Sequence, residues 1–185
     1  MTGWRLVRDQ IPVLDKAVLI FAPHTSNWDF VIMLIAKFSY DIKVRYLGKH
    51  SLFYWPYGWF FRALGGMPVN RSHSHNLVDQ VVAMMDREQK ILLALAPEGT
   101  RSYTPYWKTG FYHIAWRSKV PIVMFYLNTT DKTIDYSEPL YPTGHIDEDF
   151  DIIADFYRGK TGFKPELASP VQTKHMYFAN KNKET

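Results

Sequence analysis

The sequence predicts an α/β fold, a mostly parallel central sheet flanked by helices. Three observations carry that reading: short uninterrupted apolar runs, segments of helical period between them, and the regular alternation of the two. Parallel neighbours need crossover connections, and helices supply them. In order, Ala17 to Ala22 is a continuous apolar run ended by Pro23, and reads as a strand buried on both faces. Phe30, Met33, Leu34 and Lys37 then share a helical stripe. Lys43 to Leu47 and Met67 to Val69 are shorter strand candidates. Between them, Ser51 to Leu64 is rich in aromatics but interrupted by Pro56 and Gly58, which argues against one long straight helix. Leu77, Val81, Met84 and Met85 form a second stripe. Ile91 to Ala96 is a strand ending at Pro97, and Pro121 to Leu127 another, ending in the turn-prone pair Asn128-Thr129. A later helix carries Phe150, Ile153, Ala154 and Tyr157, opened by Asp147-Glu148-Asp149, whose charges suit a helix N-terminus. No repeat or linker divides the chain, so residues 1–185 read as one domain, with 180–185 a polar, frayed tail.

Composition narrows the function classes. A chain of 185 residues, 46% hydrophobic and 22% charged, is long enough for one packed core and argues against extended disorder. The absence of cysteine excludes a disulfide framework, a thiolate metal site and a cysteine nucleophile. The net charge of +4 favours anionic partners without naming one. Aromatics at 16%, with 6 Trp, either fill a core or lie at a membrane surface or ligand groove. The longest apolar stretches fall far short of the roughly 20 residues needed to cross a bilayer. Arg5, Arg8 and Asp9 break up any secretory leader at the start of the chain. A cytoplasmic location without a transmembrane helix is therefore expected. A nucleic-acid partner is not, because the charge excess is small and no such motif is present.

In open α/β sheets, sites gather beyond the carboxyl ends of strands. Each exit here carries a charged or titratable group: His24 to Asp29 after the first run, Asn70-Arg71-Ser72 after Val69, and Glu98 to Arg101 after Pro97. With His24 in the loop and Asp29 in the first helical turn, the carboxylate can hold the imidazole in one tautomer and stabilise the imidazolium that forms on proton transfer. The alternative is that Ser26, Asn27 and Asp29 simply cap the helix. No G-x-S-x-G elbow is present, so the natural nucleophile for such a base is the hydroxyl of a bound substrate. Arg71 and Arg101 can converge on one phosphate, which a guanidinium holds bidentately. Glu98 either orients an arginine, binds a substrate hydroxyl, or forms an ordinary ion pair with Arg101. Lys108, followed by Thr109 and Gly110 at the start of a helical pattern, adds a phosphate contact or is a solvated lysine. His73-Ser74-His75 lacks third and fourth ligands at motif spacing, so no metal is expected. His50, His113, His145 and His175 stand alone and read as surface or satisfied core groups.

These residues resemble a known set. His24-Thr25-Ser26-Asn27-Trp28-Asp29 is similar to the H-x4-D motif of the glycerolipid acyltransferases, the family of bacterial 1-acylglycerol-3-phosphate acyltransferases. Gly66 to Arg71 resembles its second block, Pro97 to Ser102 its third and Val120 to Val123 its fourth, in family order across residues 24–123. The resemblance implies a glycerol-3-phosphate acyltransferase-like fold. It also implies transfer of a fatty acyl group from acyl-CoA or acyl carrier protein to the hydroxyl of a lysophospholipid such as 1-acyl-glycerol 3-phosphate, with no cofactor. By match to the motifs, His24 would be the base and Asp29 its orienting partner. Arg71 and Arg101 would contact phosphate, and Glu98 would line the acceptor pocket with Gly99 and Thr100. The rival readings are an acyl-thioester hydrolase and a non-catalytic lipid-binding module of the same fold. A lipid substrate implies peripheral contact with the inner face of a membrane. The surface candidates for it are Trp4, Arg5, Leu6 and Arg8, with Phe53, Tyr54, Trp55, Tyr57, Trp59, Phe60 and Phe61 beside Arg62. Among these, internal packing is the expectation for Phe60 and Phe61, as it is for nearby Leu64.

Overall fold

The computed structural model describes residues 3–7, 13–39, 41–69 and 74–182. Its seven strands are β1 (Arg5–Leu6), β2 (Lys16–Phe21), β3 (Val44–Lys49), β4 (Gly66–Val69), β5 (Ile91–Leu95), β6 (Ile122–Asn128) and β7 (Thr133–Tyr136), in the order β1-β7-β6-β2-β5-β3-β4. All neighbours are parallel except β6 and β7. The helices are α1 (Asn27–Ser39), α2 (Gly58–Ala63), α3 (Ser74–Arg87), α4 (Gly110–Arg117), α5 (Ile146–Tyr157) and α6 (Lys174–Lys181). The expected fold class is therefore observed.

The apolar runs became central strands because both faces of the sheet are covered. Val18 and Ile20 of β2 point into a cluster with Met85 of α3, Ile114 of α4 and Phe150 and Ile153 of α5. Ala17 and Leu19 point the other way, against Ile32 of α1 and Val123, Phe125 and Tyr136 of β6 and β7. Successive residues serve opposite faces, so a strand buried on both sides must be apolar throughout. The buried apolar position of α1 is Ile32, with Met33 and Ala36 beside it, so of the expected stripe only Met33 packs against this core. Phe30 instead meets Tyr46 of β3 edge-on, and Lys37 Nζ donates to the Leu64 carbonyl at 2.6 Å.

From β2 the sheet is extended by β5, β3 and β4 on one side and by β6 and β7 on the other. The direction in which strands are added thus switches at β2, the place where open α/β sheets hold ligands beyond the carboxyl ends. The segment from Ser51 to Leu64 is, as expected, not one helix but a 3-10 turn (His50–Phe53) followed by α2. Phe53 is buried rather than at the surface, whereas Phe60 is 47% exposed rather than packed inside. Trp4 is also partly buried, against the β6–β7 side of the core, which corrects its assignment to a membrane surface; Arg5 and Leu6 pair with β7 through their backbone, and Arg5 is exposed. Arg8 lies outside the described residues. Asn180 and Lys181, expected in a frayed tail, belong to α6, and residues 183–185 lie outside the described residues. Among the described residues, no helix is long and apolar enough to cross a membrane.

Candidate active site

The first exit residue of interest is His24, three residues beyond β2 and just past Pro23. Its Nδ1 lies 3.2 Å from Asp29 Oδ2. Asp29 sits in the first turn of α1 with only 4% of its surface exposed. The same Oδ2 accepts the amides of Thr25 at 2.9 Å and Ser26 at 2.8 Å. Ser26 Oγ in turn accepts the Trp28 amide at 3.2 Å, so Ser26-x-x-Asp29 forms a reciprocal helix cap. Capping and contact with the imidazole, alternatives in the sequence, are both performed by one oxygen atom. The cap immobilises the carboxylate, and the carboxylate holds the ring by Nδ1, leaving Nε2 to face a ligand. The ring itself retains partial exposure, with 18% of the side chain accessible.

Glu98, beyond β5, comes to the same place because β2 and β5 are adjacent and in register, Ile20 opposite Leu95. Its Oε2 accepts the His24 amide at 2.7 Å. The residue is 1% exposed, and Oε1 has no hydrogen-bond partner among the described residues. Burial pushes the carboxyl above its ordinary value of 4.5, opposed by smaller pulls from the His24 amide and imidazole and from the Ser169 backbone. Glu98 forms no ion pair with Arg101 among the described residues, which corrects that alternative. Arg101 is exposed on the following turn.

Gly99 occupies φ +68°, where glycine carries no steric penalty, and the side chain of Lys108 lies over it. A Cβ added at Gly99 would come within 2.9 Å of Lys108 Nζ. The Lys108 amide is fixed on the Pro97 carbonyl at 2.9 Å, so its ammonium is delivered to the exit of β5. Thr100 is half-buried and its hydroxyl accepts the Ser102 amide at 3.2 Å. Arg71 and His73 lie outside the described residues. Strand β4, which precedes them in the sequence, ends at Val69 on the same edge of the sheet, three strand positions from β2, or roughly 14 Å. Among the described residues, no group of three or more His, Asp or Glu could hold a metal ion.

Several supporting residues carry no signal in the sequence. The Tyr157 hydroxyl lies between the carbonyls of Ile20 at 3.2 Å and Phe125 at 3.0 Å, clamping the tips of β2 and β6 beneath His24. Burial pushes its phenol well above the usual tyrosine value, which keeps it a neutral donor. Thr25 Oγ1 accepts the Lys164 amide at 3.1 Å, and Gly162 approaches so closely that a Cβ there would lie 2.7 Å from that oxygen. The segment after α5 thus braces the His24 loop. Beside it opens a cavity of about 270 Å³ lined by Ala22, Pro23, Trp107, Tyr157 and Val171. The helical stripe marks Tyr157 as a core residue, but neither its hydroxyl bonds nor the bracing segment has a local pattern to reveal it.

Chemically, this is an imidazole held in a fixed orientation beyond the strand exits, with the Lys108 ammonium at the neighbouring exit and no side-chain nucleophile hydrogen-bonded to the ring among the described residues. It suits removal of a proton from a bound hydroxyl.

Comparison with known proteins points the same way. A sequence model of the family described as Acyltransferase matches residues 6–127. The chain is 32% identical to 1-acyl-sn-glycerol-3-phosphate acyltransferase of Saccharomyces cerevisiae, covering 64% of this chain and 41% of the relative. It is 30% identical to the protein of the same name in Escherichia coli, covering 63% and 49%. With that of Haemophilus influenzae it shares 29% identity, covering 71% and 55%. The chain spans about half the length of these curated relatives. A crystal structure of the 1-acyl-sn-glycerophosphate acyltransferase of Thermotoga maritima superposes with a TM-score of 0.60 at 16% identity, covering 85% of this chain and 71% of that one. At that identity the likeness concerns the fold.

Proposed function

The chain belongs to the acyltransferase family, and from that premise we propose that it transfers a fatty acyl group from an acyl-thioester to the hydroxyl of a lysophospholipid. The acceptor in this reading resembles 1-acyl-glycerol 3-phosphate, the substrate named by its relatives, and the reaction is a step of phospholipid biosynthesis. The acyl donor is acyl-CoA or acyl carrier protein, and no cofactor takes part. The setting is the cytoplasmic face of a membrane.

His24 Nε2 takes the proton of the acceptor hydroxyl as its oxygen attacks the thioester carbonyl. The tetrahedral intermediate then expels the thiol, which leaves with the proton returned by the imidazolium. Asp29 stabilises that imidazolium and holds the ring, and Glu98 fixes the backbone at His24 from the wall of the acceptor pocket. Lys108 and Arg101, with Arg71, neutralise the acceptor phosphate, while Gly99 and Thr100 shape the loop that bears it. The cavity against Pro23, whose lining joins apolar side chains with Arg158 and Lys160, is the proposed seat of the acyl group.

The observation that carries this reading is the 3.2 Å approach of His24 Nδ1 to a carboxylate already anchored by two amides. The test is thiol release from acyl-CoA or acyl carrier protein with and without lysophosphatidic acid. The wild type should release thiol only with the acceptor, and His24→Ala should be slower by roughly 10²–10⁴-fold. Full acceptor-dependent activity in a folded His24→Ala protein overturns the proposed base. Release that ignores the acceptor means hydrolysis instead.

A further inference from the structure

The turn between β3 and β4 is built around Phe53. Its ring is clamped between two strands at glycines: a Cβ at Gly48 of β3 would lie 2.7 Å from it, and one at Gly66 of β4 2.9 Å. Arg62 of α2 covers the ring at 5.5 Å and donates to the Phe53 carbonyl at 3.3 Å. Gly58, the first residue of α2, abuts that carbonyl too closely to carry any side chain. One aromatic ring is thus held in the core by three glycines while its neighbours are held in water. Trp55 is 93% exposed and Trp59 72%, with Tyr54, Tyr57 and Phe60 exposed around them. Isolated exposed apolar residues are ordinary; this many large aromatics on one braced turn are not. Helix α1 is tied to the end of α2 by the bond from Lys37 Nζ to the Leu64 carbonyl.

Charge identifies what the turn meets. Between Asp41 and Asp79 there is no acidic residue, while Lys43, Arg45, Lys49, Arg62 and Arg71 fall in that stretch. Lys49 ends β3 and Arg62 lies on α2, next to the aromatic group, whereas Arg45 is occupied by Glu88 at 3.7 Å. Amphipathic aromatics flanked by cations that pair with no acid among the described residues match the boundary between acyl chains and anionic headgroups. The turn also leaves β3 on the sheet edge from which β2 delivers His24.

We propose that the braced turn from Leu52 to Phe60 is a docking surface that inserts its exposed aromatics into an anionic lipid bilayer. The sense of this surface rests on the acyltransferase reading, since it sets the crevice of His24 against the layer from which a lysolipid would come. Its measurement does not rest on that reading.

The experiment is co-sedimentation with vesicles of phosphatidylcholine mixed with phosphatidylglycerol, and with vesicles of phosphatidylcholine alone. The wild type should bind the anionic vesicles more tightly, and added salt should weaken the binding. Trp55→Ala/Trp59→Ala should lower the affinity by roughly tenfold or more. Trp116→Ala, an exposed tryptophan on α4, and the inactive His24→Ala should bind as wild type. Both substituted tryptophans are exposed, so the double variant should remain folded, which circular dichroism checks. Absence of wild-type binding overturns the proposal, as does equal binding of the double variant or indifference to phosphatidylglycerol. Self-association of the wild type, abolished in the double variant and unaccompanied by vesicle binding, overturns it in favour of a second copy of the chain. Vesicle binding without thiol release would leave the surface standing and the transferase reading fallen.

Discussion

Asp29 performs two tasks with one atom, and two substitutions separate them. Asp29→Ala strands the amides of Thr25 and Ser26, which now donate to Oδ2 at 2.9 and 2.8 Å. A buried donor left unpaired costs roughly 1–3 kcal/mol. Thr25 is buried, whereas Ser26 is half-exposed and falls at the low end. The lost first-turn carboxylate adds roughly 0.3–1 kcal/mol, so the substitution should destabilise by about 3 kcal/mol. Asp29→Asn keeps a carbonyl oxygen for both amides and loses only charge assistance, roughly 1 kcal/mol per bond. Relief from burying a charge offsets part of that loss. For catalysis the two variants converge, because both lack the negative charge 3.2 Å from the His24 imidazole. At an effective dielectric constant of about 20, that charge stabilises the imidazolium by at most roughly 5 kcal/mol. Partial exposure and the dipole of the replacement amide return some of it, so thiol release by Asp29→Asn should fall by roughly 10²–10⁴-fold. Urea unfolding followed by tryptophan fluorescence measures the first quantity, and acceptor-dependent thiol release measures the second. Activity within a few-fold of wild type in Asp29→Asn would refute the orienting role and leave only a cap. Equal stability of Asp29→Ala and wild type would refute the cap.

Two further outcomes follow from burial and from steric fit. Because the folded-state pKa of Glu98 is raised, the native protein holds that proton more tightly than the unfolded chain does. The associated stability is fully present below the ordinary value of 4.5 and is lost as pH rises through the higher folded value. Relative to Glu98→Gln, which cannot titrate, the wild type should therefore lose stability across that window in urea titrations at a series of pH values. A constant difference between the two proteins contradicts the assignment. Gly58→Ala would drive a methyl group into the Phe53 carbonyl oxygen, so the backbone must shift. A cost of roughly 1–3 kcal/mol is expected, with faster proteolysis between β3 and β4, and an unchanged urea midpoint contradicts this packing.

What was readable in the chain was local. Strands β2, β5 and β6 declared themselves because a strand covered on both faces has to be apolar at every position, and prolines or turn residues end each run. His24 and Asp29 were readable as a pair because the helix cap that joins them closes within six residues. The same locality explains the errors. Glu98 stands beside Arg101 in the sequence, yet its partner is the His24 amide, 74 positions away. Phe53 and Phe60 are equivalent by composition, but only Phe53 falls between glycines of two neighbouring strands.

The sequence by itself determined the class of fold, its central strands, and the base with its carboxylate, since each follows from hydrogen bonding and burial over a few residues. Strand order decided the rest. It brought the β5 exit against the β2 exit, placed Tyr157 under both β2 and β6, laid the segment after α5 along the His24 loop, and chose which aromatics face water. Periodicity states which face of an element is buried, not which element buries it, and those partners exist only once the crossovers have set the sheet.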